Sequence, residues 1–224
     1  MGFPNALGHM IEISAWAFLF HVVSWESTAQ VIVLSIGQNI FLLFQFMSEG
    51  LTKAITTITA NFIGAQKWHY IKKGFKSALI VHIGILCVIG IPTFLFPEFL
   101  AKLFLHNVTQ EDYHAYRTVI QENMAWTWIY LLFDGFVWVI VGILTAGGDT
   151  KFIMMITSTT VWITVIIPIY FITRYYDPPL SLCWQVTAAY GFINFIIFFG
   201  RYSSKHWIKL RLSGDKRARR NLKN

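Results

Sequence analysis

The sequence predicts an all-α integral membrane protein, a bundle of six transmembrane helices. Three observations predict it. Hydrophobic residues make up 55% of the chain and charged residues only 13%, against about 25% charged in soluble domains. The apolar runs are near-continuous rather than alternating, which selects helices over barrel strands. Each of six runs approaches the length needed to cross a hydrocarbon core of about 30 Å.

Taken in order, the first span covers 4–24 and carries His9, Glu12 and His21, unusually polar for a span. The second covers 29–51 and continues to 64 as an amphipathic piece, ending at Gly64-Ala65. The third covers 75–96, with Pro92 near its far end. The fourth, 122–146, is the one the others are organised around, because it places Asp134 near its middle. Insertion scales penalise a central carboxylate by about 2.5–3.5 kcal/mol. Tyr130 precedes it by one turn on the same face, and Val137, Trp138 and Val141 continue that stripe. The fifth span, 152–172, contains Pro168 as an expected kink. The sixth, 180–200, is entered from Pro178-Pro179. Residues 1–204 thus read as one six-span membrane lobe, and 205–224 as a basic tail. Connections are short except for the polar 106–122, expected as a surface turn.

Several function classes are disfavoured. Cys87 and Cys183 lie inside apolar runs without CxxC or clustered Cys/His spacing, so neither a disulfide framework nor a cysteine metal site is expected. The start of the chain has no basic n-region or cleavage site and does not read as a signal peptide. Gly147-Gly148-Asp149 has no preceding strand and no Gly-Lys-Ser/Thr, so it reads as a helix C-cap and turn rather than a phosphate loop. No nucleophile–base pair or nucleotide motif is present; the expectation is not an enzyme, and no cofactor.

Lysine and arginine counts set the orientation. Lys67, Lys72, Lys73, Lys76, Lys151 and nine residues after Gly200 place fourteen basic residues on one side. The other side has Lys102, Arg117 and Arg174. The protein is therefore expected in the plasma membrane (the inner membrane of a bacterium), with both termini cytoplasmic. The basic tail beside a span reads as a topology signal attracted to anionic membrane lipid, at about 1 kcal/mol per charge, rather than as a nucleic-acid site.

These residues resemble the second half of a MATE-type (multidrug and toxic compound extrusion) transporter of the MOP superfamily, the NorM-like branch in particular. Gly2-Phe3-Pro4 followed by Glu12 is similar to that family's seventh helix. Gln38-Asn39, Phe46-Met47, Gly50, Ala54 and Gly64-Ala65 resemble its eighth. ILTAGGDT resembles the LRGxGDT ending of its tenth, and Asp134 precedes Asp149 by the family's fifteen residues. Thr145 and Ala146 replace the motif's Arg and Gly, Glu49 stands where many relatives carry proline, Ala60 where they carry glycine, and Ser35 replaces a glutamine sometimes assigned to the cavity.

The resemblance implies one lobe of a twelve-span transporter and cation-coupled efflux of organic, amphipathic or cationic compounds. Glu12 and Asp134 match the acids that bind the coupling cation, Na+ or H+, and Tyr130 adds a phenol oxygen or a ring face. Ser35, Gln38 and Asn39 are candidate cavity-lining residues. The implied partners are a small-molecule substrate, lipid and a second six-span lobe, from a separate chain or a second copy. The alternative is a non-transporting orphan or interaction subunit derived from such a lobe.

Read from the residues alone, Glu12 either faces a cavity or snorkels to the interface, and Tyr130 serves bundle packing equally well. Glu49 and Lys53, at i,i+4 with the acid first, read as mutually neutralising. His9, His21 and His82 read as hydrogen-bonded bundle residues. One prediction concerns topology: a cysteine introduced near Thr109 should label from outside the cell and resist labelling from the cytosol.

Overall fold

The computed structural model describes residues 2–25, 28–95, 110–176, 179 and 181–208, with backbone alone at 2–5, 28–30, 32–33, 89, 92–94 and 110–120. Every regular element among them is helical: α1 (Gly2–Ser24), α2 (Thr28–Gly64), α3 (His69–Leu95), α4 (Gln110–Gly147), α5 (Thr150–Val161), a π-helical turn (Trp162–Ile166), α6 (Ile167–Tyr175) and α7 (Leu182–Ser203). Ala6–Ser24, Gln121–Gly147, Thr150–Tyr175 and Leu182–Ser203 are long and apolar enough to cross a membrane. The expected span 29–51 falls within α2, and 75–95 of the expected third span falls within α3. The basic tail beyond residue 208 and the stretch 96–109 lie outside the described residues.

The connection expected over 106–122 is instead helical from Gln110 onward. No glycine or proline interrupts residues 98–134, so nothing stops the helix from continuing backward out of the span. At 38 residues, α4 is about 57 Å long, well beyond a hydrocarbon core. Its other end closes as a Schellman turn. Gly148 sits at φ 86°, its N–H donates to Thr145 C=O (3.0 Å), and the Asp149 N–H donates to Leu144 C=O (3.0 Å). The expected break at Pro168 takes the form of the π turn just before it. Proline has no N–H to give the preceding turn, and the wider i→i−5 pairing, Ile167 N–H to Trp162 C=O, accommodates the loss.

α4 occupies the centre, packed against α7, α2 and α3, while α1 lies chiefly along α5. The apolar core has two blocks. One holds Phe44, Tyr130, Leu131 and Trp184, and the other Ile140, Ile143, Leu144 and Phe198. Hydrogen bonds between helices supplement this packing, because lipid-facing helices gain little from hydrophobic burial alone. Thr52 Oγ1 donates to Trp138 C=O (3.2 Å), and one turn on Thr56 Oγ1 donates to Gly142 C=O (3.1 Å). His82 is buried between the rings of Phe44 and Phe136 and hydrogen-bonds the Leu132 carbonyl at 3.2 Å, as expected of a bundle histidine.

The membrane-spanning part of α4 is tied to α7 near both of its limits, at Glu122 and through Asp149 in the turn that follows. At one end Ser181 Oγ and Gln185 Nε2 donate to Glu122 Oε1 at 2.9 and 3.3 Å. At the other, Arg201 makes a two-point ion pair with Asp149, 2.7 Å from Nε to Oδ2 and 3.2 Å from its terminal nitrogen to Oδ1. The guanidinium lies 4.5 Å from the centre of the Phe152 ring.

Gly37 of α2 lies against the buried Trp184 of α7, and a Cβ there would fall within the indole. Gly37→Ala should therefore destabilise the bundle by about 1–3 kcal/mol. A lower Tm for the purified variant, partly restored by adding Trp184→Phe, is the expected result.

Candidate functional site

The arrangement around Asp134 follows from where α4 sits. On this helix Tyr130 and Leu131 belong to one core block, and Val137 and Ile140 to the other. Asp134 falls at the seam between them. Tyr130, only 2% exposed, lies one turn before it and donates its phenol O–H to Asp134 Oδ1 at 3.3 Å. Its ring is held by Phe41, Trp184 and Tyr190, with centroids 5.6, 6.2 and 6.5 Å away. Tyr130 thus packs in the core and binds the acid at once. Asp134 Oδ2 is buried without a hydrogen-bond partner, although the Trp138 side chain one turn on approaches the carboxylate.

Asp134 opens onto a cavity of about 250 Å3, shared by five elements. α1 brings His9 and Glu12, α2 brings Glu49, Thr52 and Lys53, α5 brings Met154 and Thr157, and α7 brings Tyr190 and Asn194. Glu12 thus shares the cavity with Asp134 across the bundle. Its side chain is 22% exposed, with His9 Nδ1 4.0 Å from Oε2. At the rim, Lys53 Nζ lies 3.6 Å from Glu49 Oε2, the expected i,i+4 pair. Three carboxylates against one lysine leave the cavity acidic, so the field in it favours a cation. The donors on its wall are carboxylate, amide and hydroxyl oxygens, the set that a hard cation prefers. Among the described residues no group of three His, Cys, Asp or Glu could hold a metal ion.

Ser35, Gln38 and Asn39 do not line this cavity. Gln38 precedes Glu49 by eleven residues along α2, a rise of about 16 Å towards the other end of the bundle. Asn39 is exposed and donates its amide to the Ser35 carbonyl at 2.9 Å.

The sequence reading missed the wall contributed by α5 and α7. Thr160 Oγ1 donates to Asn194 Oδ1 at 2.9 Å, fixing the amide that faces the cavity with Tyr190. A signal for these residues was present. Tyr190 and Asn194 repeat in α7 the tyrosine–acid spacing of Tyr130 and Asp134 in α4, with an amide in place of the acid. The Arg201 partner of Asp149 was also missed, since a turn reading alone does not call for one.

Comparison with known proteins agrees with this architecture. One similar solved structure is that of MATE in complex with MaL6: 17% identity, TM-score 0.77, covering 97% of this chain and 46% of that one. Another is the outward-facing conformation of a multidrug resistance MATE family transporter of the MOP superfamily: 16% identity, TM-score 0.79, covering 94% of this chain and 46% of that one. At these identities the likeness is one of fold, and this chain spans less than half the length of either protein. No curated protein matches. The MatE family model matches residues 4–171, three quarters of the sequence. The chain belongs to the MatE family.

Proposed function

We propose that this chain forms one lobe of a cation-coupled efflux transporter, in which Asp134 and Glu12 handle the coupling ion, Na+ or H+. Organic compounds, amphipathic or cationic, are the exported cargo. One of the structural neighbours above is a multidrug resistance MATE family transporter, which supports that substrate class. Family membership supports transport as such.

The observation that carries the coupling role is two carboxylates from different helices, Asp134 of α4 and Glu12 of α1, on the wall of one acidic cavity. Tyr130 binds Oδ1, and the buried Oδ2 holds no hydrogen bond that an incoming cation or proton would have to break. Either occupant neutralises a charge that is costly at the seam of an apolar bundle. Glu12 provides a second carboxylate from a different helix, so one occupant can be attracted by both walls. The ion then biases how α1 and α5 sit relative to α4, the kind of differential contact that alternating access requires. The remainder of the transport path is supplied by a second six-span lobe, on the same polypeptide, on another chain or on a second copy. The 46% coverage of both neighbours supports that need.

Asp134→Asn keeps the side chain's shape and removes its charge. Gradient-driven efflux per folded complex should fall by about tenfold or more, a loss of at least ~1.4 kcal/mol in coupling, while expression and Tm hold or rise. A fall in stability with transport per folded molecule intact would instead assign Asp134 a structural role and favour a non-transporting subunit. A second expectation concerns assembly. In reconstituted vesicles this chain should transport only where a second lobe is present, as read by efflux against oligomeric state. Full activity from demonstrably monomeric chain would overturn it.

A further inference from the structure

The lysine-rich end of the bundle holds a second cavity, of about 440 Å3, that the transport reading does not use. This lies within the range of about 300–1,000 Å3 typical of small-molecule pockets. It opens between the start of α3 and the turn after α7. Two features of the fold build it. The first is Trp207, which is 2% exposed, stacks on Tyr202 at an interplanar angle of 9°, and donates its indole N–H to the Tyr202 carbonyl at 3.3 Å. Its ring also rests on Gly147 at the end of α4, which pins the segment after α7 to the bundle. The second is Lys205, which turns the chain at φ 54°, a conformation uncommon for a residue with a side chain. The pinned segment and this turn put Lys205 on the cavity wall opposite Lys72 of α3.

The polar groups of this cavity are cationic or hydrogen-bond donors: Lys72, Lys205, His69 and Ser203. The first turn of α3 carries no acidic residue. The nearby acid, Asp149, is already bound by Arg201. Neither Lys72 nor Lys205 pairs with a carboxylate among the described residues. The apolar wall is formed by Ile71 with the rings of Trp68, Tyr202 and Trp207. Ser203 is the last residue of a membrane-crossing helix, so the cavity lies at the depth where a span leaves the hydrocarbon. Tryptophan and tyrosine favour that depth, and lysines there attract anionic headgroups.

From this placement we propose that the cavity between α3 and the Ser203–Ile208 turn binds the phosphate headgroup of an anionic phospholipid. Lys72 and Lys205 flank the phosphate, His69 and Ser203 donate to its oxygens, and the aromatic wall covers the glycerol. The site is independent of what the cavity beneath Asp134 carries, and it joins α3 to α7, which otherwise meet mainly through α4.

The test uses the full chain in lipid nanodiscs of phosphatidylcholine doped with phosphatidylglycerol, with mass spectrometry of the lipid retained on purification. Phosphatidylglycerol should be enriched over its bulk fraction. Lys72→Gln with Lys205→Gln should lower that enrichment by roughly tenfold, and each single change by roughly threefold. The corresponding arginine double variant and the exposed Lys151→Gln should retain it. The single changes carry the test if the double variant does not fold. Undiminished enrichment in the glutamine variants, or an equal loss in Lys151→Gln, would overturn the proposal. So would displacement of the lipid by millimolar inorganic phosphate, which would assign the cavity to a soluble phosphate compound.

Discussion

A carboxylate on the central helix is the constraint to which the rest of this bundle answers. Asp134 interrupts the apolar interior between residues of the two core blocks, Leu131 on one side and Val137 on the other. A charge there needs partners or water. The fold supplies one partner from within the same helix, Tyr130, and sets the residue on the wall of a cavity shared by five elements. Had α4 lain at the edge of the bundle, the acid would have faced lipid. Its central position, between α2, α3 and α7, follows from the same requirement.

Polar side chains bind α4 to some neighbours and not to others. Threonine hydroxyls from α2, the His82 ring from α3 and Gln185 of α7 all reach it, and Arg201 of α7 holds Asp149 in the turn just after it. Each such bond in a membrane contributes about 0.6 kcal/mol on average, so the value lies in their number and placement. α1, by contrast, makes no side-chain hydrogen bond to another helix among the described residues; Ser14 and Ser24 bond within it. The helix carrying Glu12 is thus held by apolar contact with α5, which resists sliding less than fixed hydrogen bonds do. The acid on the rigid part of the lobe and the acid on its more weakly tethered part face one cavity.

Helical periodicity made part of this site legible. Tyr130 and Asp134 share a face because they are four residues apart, and the stripe through Val137, Trp138 and Val141 follows from the same count. Val137, Trp138 and Val141 do line the cavity. The fold class was legible because composition and uninterrupted apolar runs leave few alternatives. What α5 and α7 contribute was not. Tyr190 is one of nine tyrosines and Asn194 is a lone amide in an apolar run, so their relation to Asp134 depends on how three helices pack. No local pattern encodes that packing. The helical stretch after Gln110 was hidden for a different reason. Polar composition suggests a loop, while the absence of glycine and proline permits a helix, and here the second effect prevails.

The π turn at Trp162–Ile166 acts as a phase shift within one membrane crossing. A wider turn takes up one residue more than an α turn, so the side chains on its two sides are offset by about 100° from where a continuous α-helix would point them. The same crossing can then aim Thr157 at the cavity before the turn and seat Ile169 in dry packing after it. The two halves of the crossing need not share a single wheel of polar and apolar positions. The half that meets the cavity can vary in sequence without re-aiming the half that holds the bundle together.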